Sequence, residues 1–307
     1  MKGDALVFPG QGAQAPGMGR ELVGSGCSLD LIEVAEAEGV PLRWLLLEAG
    51  AEDLRRTDAA QPALFYTGVA LFRLLSEGGL APGFAAGHSL GEYCALVASG
   101  AIAPEAGMRL VIRRARAMMG APPGTMAAVL GLAPQLLETI CAEVTASGAI
   151  CVLANDNSPQ QQVVSGSAAG VEEVSRRARE AGARRVVALQ VGGAFHSPLM
   201  AGPAAEFAPA IAATEIRDPS FPVGAGALGR GVGSAAEIRR GLEVQLQSPV
   251  LWTATVRALN AAGAERYLEC GAGATLGPLI KRVLEGPNVV QVDSPQRAAE
   301  VTQGMGP

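Results

Sequence analysis

The stretch from residue 83 to residue 97 restricts the possible folds of this chain more than any other part of it. It reads GFAAGHSLGEYCALV and contains a G-x-S-x-G pattern centred on Ser89. An apolar run of strand length precedes the pattern, and apolar residues at helical spacing follow it, namely Leu90, Tyr93, Cys94 and Val97. A strand, a sharp turn and a helix are the context in which this pattern forms a nucleophile elbow. The stretch therefore predicts an α/β fold that presents Ser89 at the tip of a turn; a glycine-rich turn with an incidental serine is the alternative.

The residues around Ser89 suit it to act as a nucleophile. Gly87 and Gly91 flank a turn so tight that a Cβ atom at either position would clash with the neighbouring strand or helix. Ser89 then lies at a helix N-terminus, where backbone N–H groups and the helix dipole stabilise a developing negative charge. The sequence thus predicts covalent catalysis through Ser89.

Composition and charge argue against several classes of protein. With 307 residues, 49% of them apolar, the chain can bury a large core as one α/β domain or as two smaller ones. No apolar run approaches the ~18 residues needed to cross a membrane, and the net charge of -5 argues against nucleic-acid binding. The five cysteines are scattered without a C-x-x-C pair, which indicates neither a disulfide framework nor a zinc site. Because the N-terminus enters a strand-like run without a signal peptide, we expect a cytoplasmic protein.

A glycine-dense loop, PGQGAQ, follows the first apolar run at residues 5–8. The loop lacks both G-x-G-x-x-G and G-K-[ST], so a phosphate site is a weak interpretation. In elbow enzymes one oxyanion donor is the amide that follows the nucleophile, here Leu90, and the other comes from a separate loop. The backbone N–H of Gln11 is a candidate for that second donor. A plain turn is the alternative.

Helical spacing separates one arginine from its neighbours in the stretch 103–119, which we predict to be a helix. Arg109, Arg113 and Arg116 are spaced i, i+4 and i+7 and therefore share one face. Arg114 faces the apolar side instead, and burial of a guanidinium is unfavourable without an anionic partner. Two interpretations are open. Arg114 is either a core-edge arginine paired with a local carboxylate, or a clamp on a substrate carboxylate, which the planar guanidinium fork suits.

The pattern of the chain changes between residues 125 and 191. Predicted strands and helices follow one another there in the order β-α-β-β-α-β, which is the ferredoxin-like signature. We therefore predict a small ferredoxin-like subdomain at 125–191, inserted into a larger α/β subdomain made of 1–124 and 192–307. Two further local predictions are a helix that begins near Gln61-Pro62 and a weakly ordered tail over roughly the last fifteen residues.

Histidine is scarce in this chain, which limits the choice of a base for Ser89. Only His88 and His196 occur. His88 is adjacent to Ser89, so the two side chains should diverge from the turn. A serine nucleophile needs a base within hydrogen-bond reach, and elimination leaves His196, at the hinge that returns to the larger subdomain. A core or capping histidine is the alternative.

Four segments, in this order, resemble the malonyl-CoA:acyl carrier protein transacylases, a family that includes the free-standing acyltransferases of polyketide synthases. The segments are FPGQGAQ at 8–14, GHSLGEY at 87–93, AFHSPLM at 194–200 and QLQSPV at 245–250. The resemblance spans about residues 5 to 285. It implies an α/β-hydrolase-like large subdomain that carries the ferredoxin-like insert. It also implies ping-pong acyl transfer from coenzyme A to Ser89 and then to the phosphopantetheine thiol of an acyl carrier protein.

The resemblance implies roles for single residues of the catalytic machinery. Ser89 is similar to the family's nucleophile and His196 to its base. Gln11 and Leu90 correspond to the residues whose backbone N–H groups bind the oxyanion. Gln245 lies where, in this family, a backbone carbonyl orients the histidine in place of a triad acid.

The resemblance also implies the substrates and partners. Arg114 would hold the carboxylate of the acyl group, and a phenylalanine at the position of Phe195 accompanies malonyl rather than methylmalonyl selectivity. Acyl-CoA would be a substrate, with no cofactor or metal bound permanently. The partner would be a phosphopantetheinylated acyl carrier protein of fatty acid or polyketide biosynthesis. We expect a monomer that binds neither nucleic acid nor membrane.

One segment departs from the family pattern and keeps rival functions open. Residues 221–227 read FPVGAGA, where relatives usually carry asparagine at the strand end, so polar groups expected in the cleft are missing. This leaves room for transfer of a larger acyl or aminoacyl group between carrier proteins. A second rival is an acyl-carrier-protein acyl hydrolase, in which water attacks the acyl-serine and the clamp arginine is commonly absent. A non-enzymatic scaffold is a third, and it would need neither the elbow nor His196.

Overall fold

A computed structural model describes residues 3–303 as a mixture of strands and helices. Within these residues the strands are β1 (Gly3–Phe8), β2 (Phe84–Gly87), β3 (Thr125–Leu130), β4 (Cys151–Ser158), β5 (Gln161–Gly166), β6 (Arg185–Ala188), β7 (Val223–Ala225), β8 (Arg230–Val232), β9 (Ala264–Cys270) and β10 (Asn288–Val292). The helices are α1 (Arg20–Gly24), α2 (Leu29–Ala37), α3 (Leu42–Leu47), α4 (Thr57–Glu77), α5 (Gly91–Ala98), α6 (Pro104–Met119), α7 (Pro134–Ala146), α8 (Ala168–Glu180), α9 (Ala201–Ala213), α10 (Ala235–Gln245), α11 (Trp252–Ala262), α12 (Gly277–Val283) and α13 (Pro295–Gln303). The predicted α/β class is confirmed.

The larger sheet has six strands in the order β10-β9-β1-β2-β7-β8. Its first five strands are parallel, and β8 runs antiparallel to β7 at the edge. Phe8 at the end of β1 pairs with Gly87 at the end of β2. Because parallel strands end at the same edge of a sheet, the loop after β1 and the turn after β2 lie side by side.

The side chains of the central strands point alternately to the two faces of this sheet, which explains why helices cover both faces. Leu6 and Phe8 of β1 belong to a large apolar cluster with α4, α5 and α6, whereas Ala5 and Val7 belong to a second cluster with α11 and α12. Successive side chains of a strand point to opposite faces, so an uninterrupted apolar run needs a helical layer on each side. No helix within residues 3–303 is long and apolar enough to span a bilayer.

The smaller sheet has four strands in the order β4-β5-β3-β6, and all of its pairs are antiparallel. Ala127 and Val129 of β3 face a cluster formed with α7 and α8. Met126 and Ala128, on the opposite face of the same strand, belong to the large cluster that includes β1 and α5. One face of the small sheet therefore packs on its own helices, and the other packs towards the larger sheet.

Two local expectations are wrong. Helix α4 begins at Thr57 rather than near Gln61, and Pro62 lies inside it. There the proline removes only one backbone bond, the one that residue 62 would have donated to residue 58. The expected weak tail is also wrong for residues 295–303, because α13 is ordered and buries Ala298 and Val301. Residues 304–307 of the expected tail lie outside the described part of the chain.

Candidate active site

The turn after β2 has the geometry of a nucleophile elbow. Ser89 has a φ of 51°, in the left-handed region that residues with a Cβ rarely adopt. A Cβ on Gly87 would stand 1.8 Å from the backbone carbon of Gly91, and a Cβ on Gly91 would stand 2.0 Å from the Phe8 carbonyl oxygen. Only glycine fits at these two positions, because strand, turn and helix pass so closely.

His196 lies against Ser89 although 107 residues separate them. The Ser89 Oγ and the His196 Nε2 are 2.8 Å apart. The His196 Nδ1 is 3.0 Å from the Gln245 carbonyl oxygen and 3.1 Å from that of Ser248. Carbonyl oxygens only accept hydrogen bonds, so Nδ1 carries the proton and Nε2 is free to accept the proton of the serine hydroxyl. The pair is therefore arranged as a nucleophile and its base.

The surroundings of His196 keep its ring neutral. Burial first, and then the positive charge of Arg114 and the neighbouring His88, lower the pKa of His196 to about 3, against the two carbonyl contacts that raise it. A base must be unprotonated to accept a proton. His196 thus satisfies this condition at neutral and mildly acidic pH.

Arg114 is 1% exposed and points into the same site. Its Nη2 donates to the Ser89 Oγ at 2.9 Å, its Nη1 donates to the Gln61 Oε1 at 2.9 Å, and its Nε donates to the Gln245 Oε1 at 3.3 Å. The Sδ of Met118 accepts from Nη1 at 3.1 Å. Within residues 3–303 no carboxylate forms an ion pair with this guanidinium. The core-edge alternative, which required a paired local carboxylate, therefore does not describe Arg114.

The two candidate oxyanion donors come from the neighbouring segments that follow β1 and β2. Leu90 precedes the first residue of α5, and Gln11 lies on the loop after β1. A Cβ on Gly10 would stand 2.5 Å from the His88 carbonyl oxygen, so glycine lets that loop approach the elbow. In the part of the chain that the structure describes, neither the Gln11 amide nor the Leu90 amide donates a hydrogen bond.

A cavity of about 100 Å³ opens beside the serine. The residues that line it are Gln11, Gln61, His88, Ser89, Leu90, Arg114, Met118, Met126, Asn155, Leu189, Val191, Phe195 and His196. A neighbouring cavity of about 420 Å³ shares Gln11 and His88 with it and extends to Asn157 and Arg282. Of the predicted site residues only Gln245 does not line the smaller cavity, and it reaches the site through its contacts with His196 and Arg114.

Among the groups that contact Arg114 and His196, sequence reasoning missed three. Gln61 and Met118 both contact Arg114, and the carbonyl of Ser248 shares the His196 proton with that of Gln245. Met118 lies four residues after Arg114, a spacing that places both on one helix face. Gln61 was recognisable as a polar residue within an apolar helical run. No local signal marks the carbonyl of Ser248, since a carbonyl belongs to every residue.

A small part of the smaller sheet also touches the site. The Asn157 Oδ1 in β4 is 2.8 Å from the His88 Nε2. Val250 exchanges backbone hydrogen bonds with the same strand, donating to the Ala154 carbonyl at 2.8 Å and accepting from the Asp156 amide at 2.9 Å. The loop that orients His196 is therefore attached to β4. Within residues 3–303 no three His, Cys, Asp or Glu side chains are grouped so as to hold a metal ion.

Known proteins resemble this chain along almost all of its length. The acyl transferase domain, as a family, matches residues 5–285. The malonyl CoA-acyl carrier protein transacylase of Bacillus subtilis strain 168 is 38% identical over 297 residues, which cover 95% of this chain and 94% of that protein. The malonyl CoA-acyl carrier protein transacylase (FabD) of Coxiella burnetii has a structure that covers 98% of this chain and 97% of its own, with a TM-score of 0.91 and 32% identity.

A second solved structure was determined with a partner. It is a type II PKS acyl-carrier protein in complex with its malonyl-transacylase (PlMCAT:AntF), which matches with a TM-score of 0.93 and 34% identity over 99% of this chain and 100% of that chain. These matches and the family match agree with the four segments quoted above. The chain therefore belongs to the acyl transferase family, among the malonyl-CoA:acyl carrier protein transacylases.

Proposed function

We propose that this acyltransferase moves a malonyl group from coenzyme A to Ser89 and then to the phosphopantetheine thiol of an acyl carrier protein. The observation that carries the proposal is the position of the Ser89 Oγ, 2.8 Å from a neutral base and 2.9 Å from a buried guanidinium. The names of its relatives support malonyl-CoA and a carrier protein as the two substrates. Acyl-CoA enters as a substrate and no permanent cofactor takes part.

The acylation step uses the groups around Ser89 in a definite order. The Ser89 oxygen attacks the thioester carbonyl while His196 Nε2 accepts the hydroxyl proton. The carbonyl oxygen becomes an oxyanion, which the amides of Gln11 and Leu90 stabilise because they have no other acceptor. The intermediate then collapses, the carbon–sulfur bond breaks, and His196 returns the proton to the departing coenzyme A thiolate. The carrier thiol reverses these steps, giving its proton to His196 and restoring the serine.

Arg114 supplies the selectivity for an acyl group that ends in a carboxylate. Within residues 3–303 the acceptors of this buried guanidinium are all neutral, so a substrate carboxylate would be the anion that its charge lacks. A planar guanidinium can bind a carboxylate through two parallel hydrogen bonds. An acyl hydrolase has no need of such a group, and the cavity of about 100 Å³ beside Ser89 favours a small acyl group over a large acyl or aminoacyl group. Residues 221–227 do not line that cavity, so their departure from the family pattern does not enlarge it.

We propose the two-part organisation as well. The six-stranded sheet supports an α/β-hydrolase-like subdomain made of 1–124 and 192–307, and the order β3-α7-β4-β5-α8-β6 supports a ferredoxin-like insert at 125–191. We also propose a monomer as the active form.

The function is tested by incubating the purified protein with a panel of acyl-CoA thioesters and measuring the mass of the intact protein by mass spectrometry. The malonyl thioester should add one malonyl mass to wild type, and a phosphopantetheinylated carrier protein should then remove it. Loading of long acyl groups in preference to malonyl would contradict the proposal. Release of malonate to water at the rate of transfer would favour the hydrolase.

Changing Arg114 to alanine should remove malonyl loading while preserving or increasing the loading of acetyl groups. The malonyl carboxylate would lose charge-assisted hydrogen bonds worth about 1.5–3 kcal/mol each. The malonyl and acetyl loading rates are measured in single-turnover reactions with malonyl-CoA and acetyl-CoA, with intact-protein mass as the readout. Arg113→Ala is the matched control, because Arg113 lies next to Arg114 but is exposed and contacts Glu38 at 3.6 Å. An equal loss for both thioesters would identify Arg114 as structural.

Changing Phe195 to serine should narrow a preference for malonyl over methylmalonyl. Phe195 lines the cavity and is 6% exposed, so an α-methyl group would press against a packed ring at a cost of about 1–3 kcal/mol. That corresponds to roughly ten- to hundredfold discrimination. Malonyl loading itself should stay within about tenfold of wild type. The measurement is a competition between malonyl-CoA and methylmalonyl-CoA, with the ratio of the two acyl-enzyme masses as the readout. An unchanged ratio in a folded variant would show that residues other than Phe195 determine the selectivity.

A further inference from the structure

A buried carboxylate that the chemistry above does not use lies three residues after Ser89. Glu92 is in the first turn of α5 and is 2% exposed. Its Oε2 accepts hydrogen bonds from the Gln245 Nε2 at 2.9 Å and from the Gly226 amide at 3.2 Å. Burying a carboxylate is costly without compensating contacts. Its position behind the nucleophile therefore suggests a task beyond packing.

The side chain of Gln245 links this carboxylate to the catalytic groups. Its Nε2 donates to Glu92 and, at 3.4 Å, to the Ser89 carbonyl oxygen. Its Oε1 accepts from the Arg114 Nε at 3.3 Å, and Arg114 in turn donates to the Ser89 Oγ. Glu92, Gln245, Arg114 and Ser89 thus form one chain of hydrogen bonds in which each donor faces an acceptor.

We propose that Glu92 is a positioning residue whose carboxylate fixes the Gln245 amide in the one orientation that presents an oxygen to Arg114. An ionised carboxylate only accepts hydrogen bonds and a guanidinium only donates them. The amide between them must therefore turn its nitrogen to Glu92 and its oxygen to Arg114. A flipped amide would place two donors face to face at Arg114. This inference rests on the proposed role of Arg114 as the group that holds the malonyl carboxylate.

The protonation state of Glu92 decides whether it can direct the amide. Burial raises the pKa of Glu92 to about 7, against the contacts with Gln245 and Gly226 and the charge of Arg114, which lower it. Arg114 on α6 is the charged group that faces it, whereas the groups from α10 and from the segment after β7 are neutral. A protonated carboxyl can donate as well as accept. A protonated Glu92 could therefore hydrogen-bond to either the oxygen or the nitrogen of the Gln245 amide, and it would no longer fix the orientation of that amide.

The test compares wild type with Glu92→Gln, which keeps the shape and removes the acceptor-only group. The readout is the ratio of malonyl to acetyl loading on Ser89 in single-turnover assays. We expect malonyl loading to fall roughly tenfold or more, as for a hydrogen bond to a charged group lost in a buried site. Acetyl loading, in which Arg114 has no substrate carboxylate to hold, should stay within about threefold. A purely structural role would lower both equally and leave the ratio unchanged.

Glu269→Gln is the matched control. Glu269 is also a fully buried carboxylate, but it accepts from the amides of Thr275, Leu276 and Gly277 at the start of α12 and makes no contact with the catalytic groups. Its variant should keep the wild-type ratio. A Glu92→Gln ratio equal to that of wild type would overturn the proposal. A higher ratio would also overturn it, because it would show that Glu92 competes with the substrate carboxylate for Arg114.

The pH dependence of wild type decides the question if Glu92→Gln does not fold. The malonyl-to-acetyl ratio should rise as the pH increases through about 7 and Glu92 ionises. His196, with its pKa near 3, does not titrate there, and its contribution is common to both thioesters. The ratio is measured in steps of ~0.5 pH unit on either side of the Glu92 pKa. A malonyl-to-acetyl ratio that stays constant from about pH 5.5 to about pH 8.5 would overturn the proposal. Absence of any malonyl loading by wild type would instead contradict the proposed function.

Discussion

Replacing Ser89 with alanine is expected to abolish acyl-enzyme formation. The intermediate needs a nucleophile in the cavity, and among the described residues that line it Ser89 alone carries a hydroxyl or a thiol group. The backbone at this position should tolerate alanine as it tolerates serine, since both residues carry a Cβ at the φ of 51°. Intact-protein mass after incubation with malonyl-CoA measures the result, which should be an unshifted mass for the variant and one added malonyl group for wild type.

The control for this prediction is another buried serine. Ser99 is 1% exposed, and its hydroxyl donates to the Leu96 carbonyl oxygen at the end of α5. Ser99→Ala removes the same oxygen atom from a position outside the cavity, so it should still be acylated. A folded Ser89→Ala protein that gains a malonyl mass would contradict the assignment of the nucleophile.

Replacing His196 with alanine should slow acylation by about two to four orders of magnitude, the usual effect of losing a positioned base. The Ser89 hydroxyl would keep its contact with Arg114, but that group only donates and cannot take the proton. The rate of acylation is measured by quenching the reaction at successive times and determining the acylated fraction from the intact-protein mass. Because the side chain leaves a space beside Ser89, added imidazole should restore part of the rate.

The other histidine provides the comparison. His88 contacts Asn157 through its Nε2 and makes no hydrogen bond with Ser89. The effect of His88→Ala should therefore not be reversed by imidazole. A His196→Ala protein that is acylated nearly as fast as wild type would mean that the base lies elsewhere.

The sequence was most informative where the chain is constrained by its immediate neighbours. The clash that excludes a Cβ at Gly87 arises with Gly91, only four residues away, so this part of the elbow can be predicted locally, whereas the clash at Gly91 is with the distant Phe8 carbonyl oxygen. The separation of Arg114 from Arg113 follows from helical spacing alone, and the structure buries the first and exposes the second. The order of strands and helices between 125 and 191 could likewise be read from short apolar runs.

What the sequence could not supply depends on contacts between distant segments. Gln61 reaches Arg114 across 53 residues, and Gln245 reaches Glu92 across 153. Gln61 is recognisable as a polar residue in an apolar run, but nothing in the sequence shows which distant residue either glutamine contacts before the chain is folded. The last helix was missed for the same reason, since α13 is polar in sequence and is held by packing against α4, where a Cβ on Gly78 would stand 2.6 Å from the Thr302 hydroxyl.

The use of main-chain carbonyls to orient His196 has a consequence for how this enzyme tolerates mutation. A triad built on a carboxylate side chain can lose its third member through a single codon change. Here the acceptors of the Nδ1 proton are the carbonyl oxygens of Gln245 and Ser248, which persist whatever side chains stand at those two positions. Their positions depend on the path of the backbone between α10 and α11. The orientation of His196 is therefore most sensitive to insertions and deletions between residues 245 and 252, which would move both carbonyl oxygens, whereas replacing the side chain at 245 or 248 leaves both acceptor atoms in the chain.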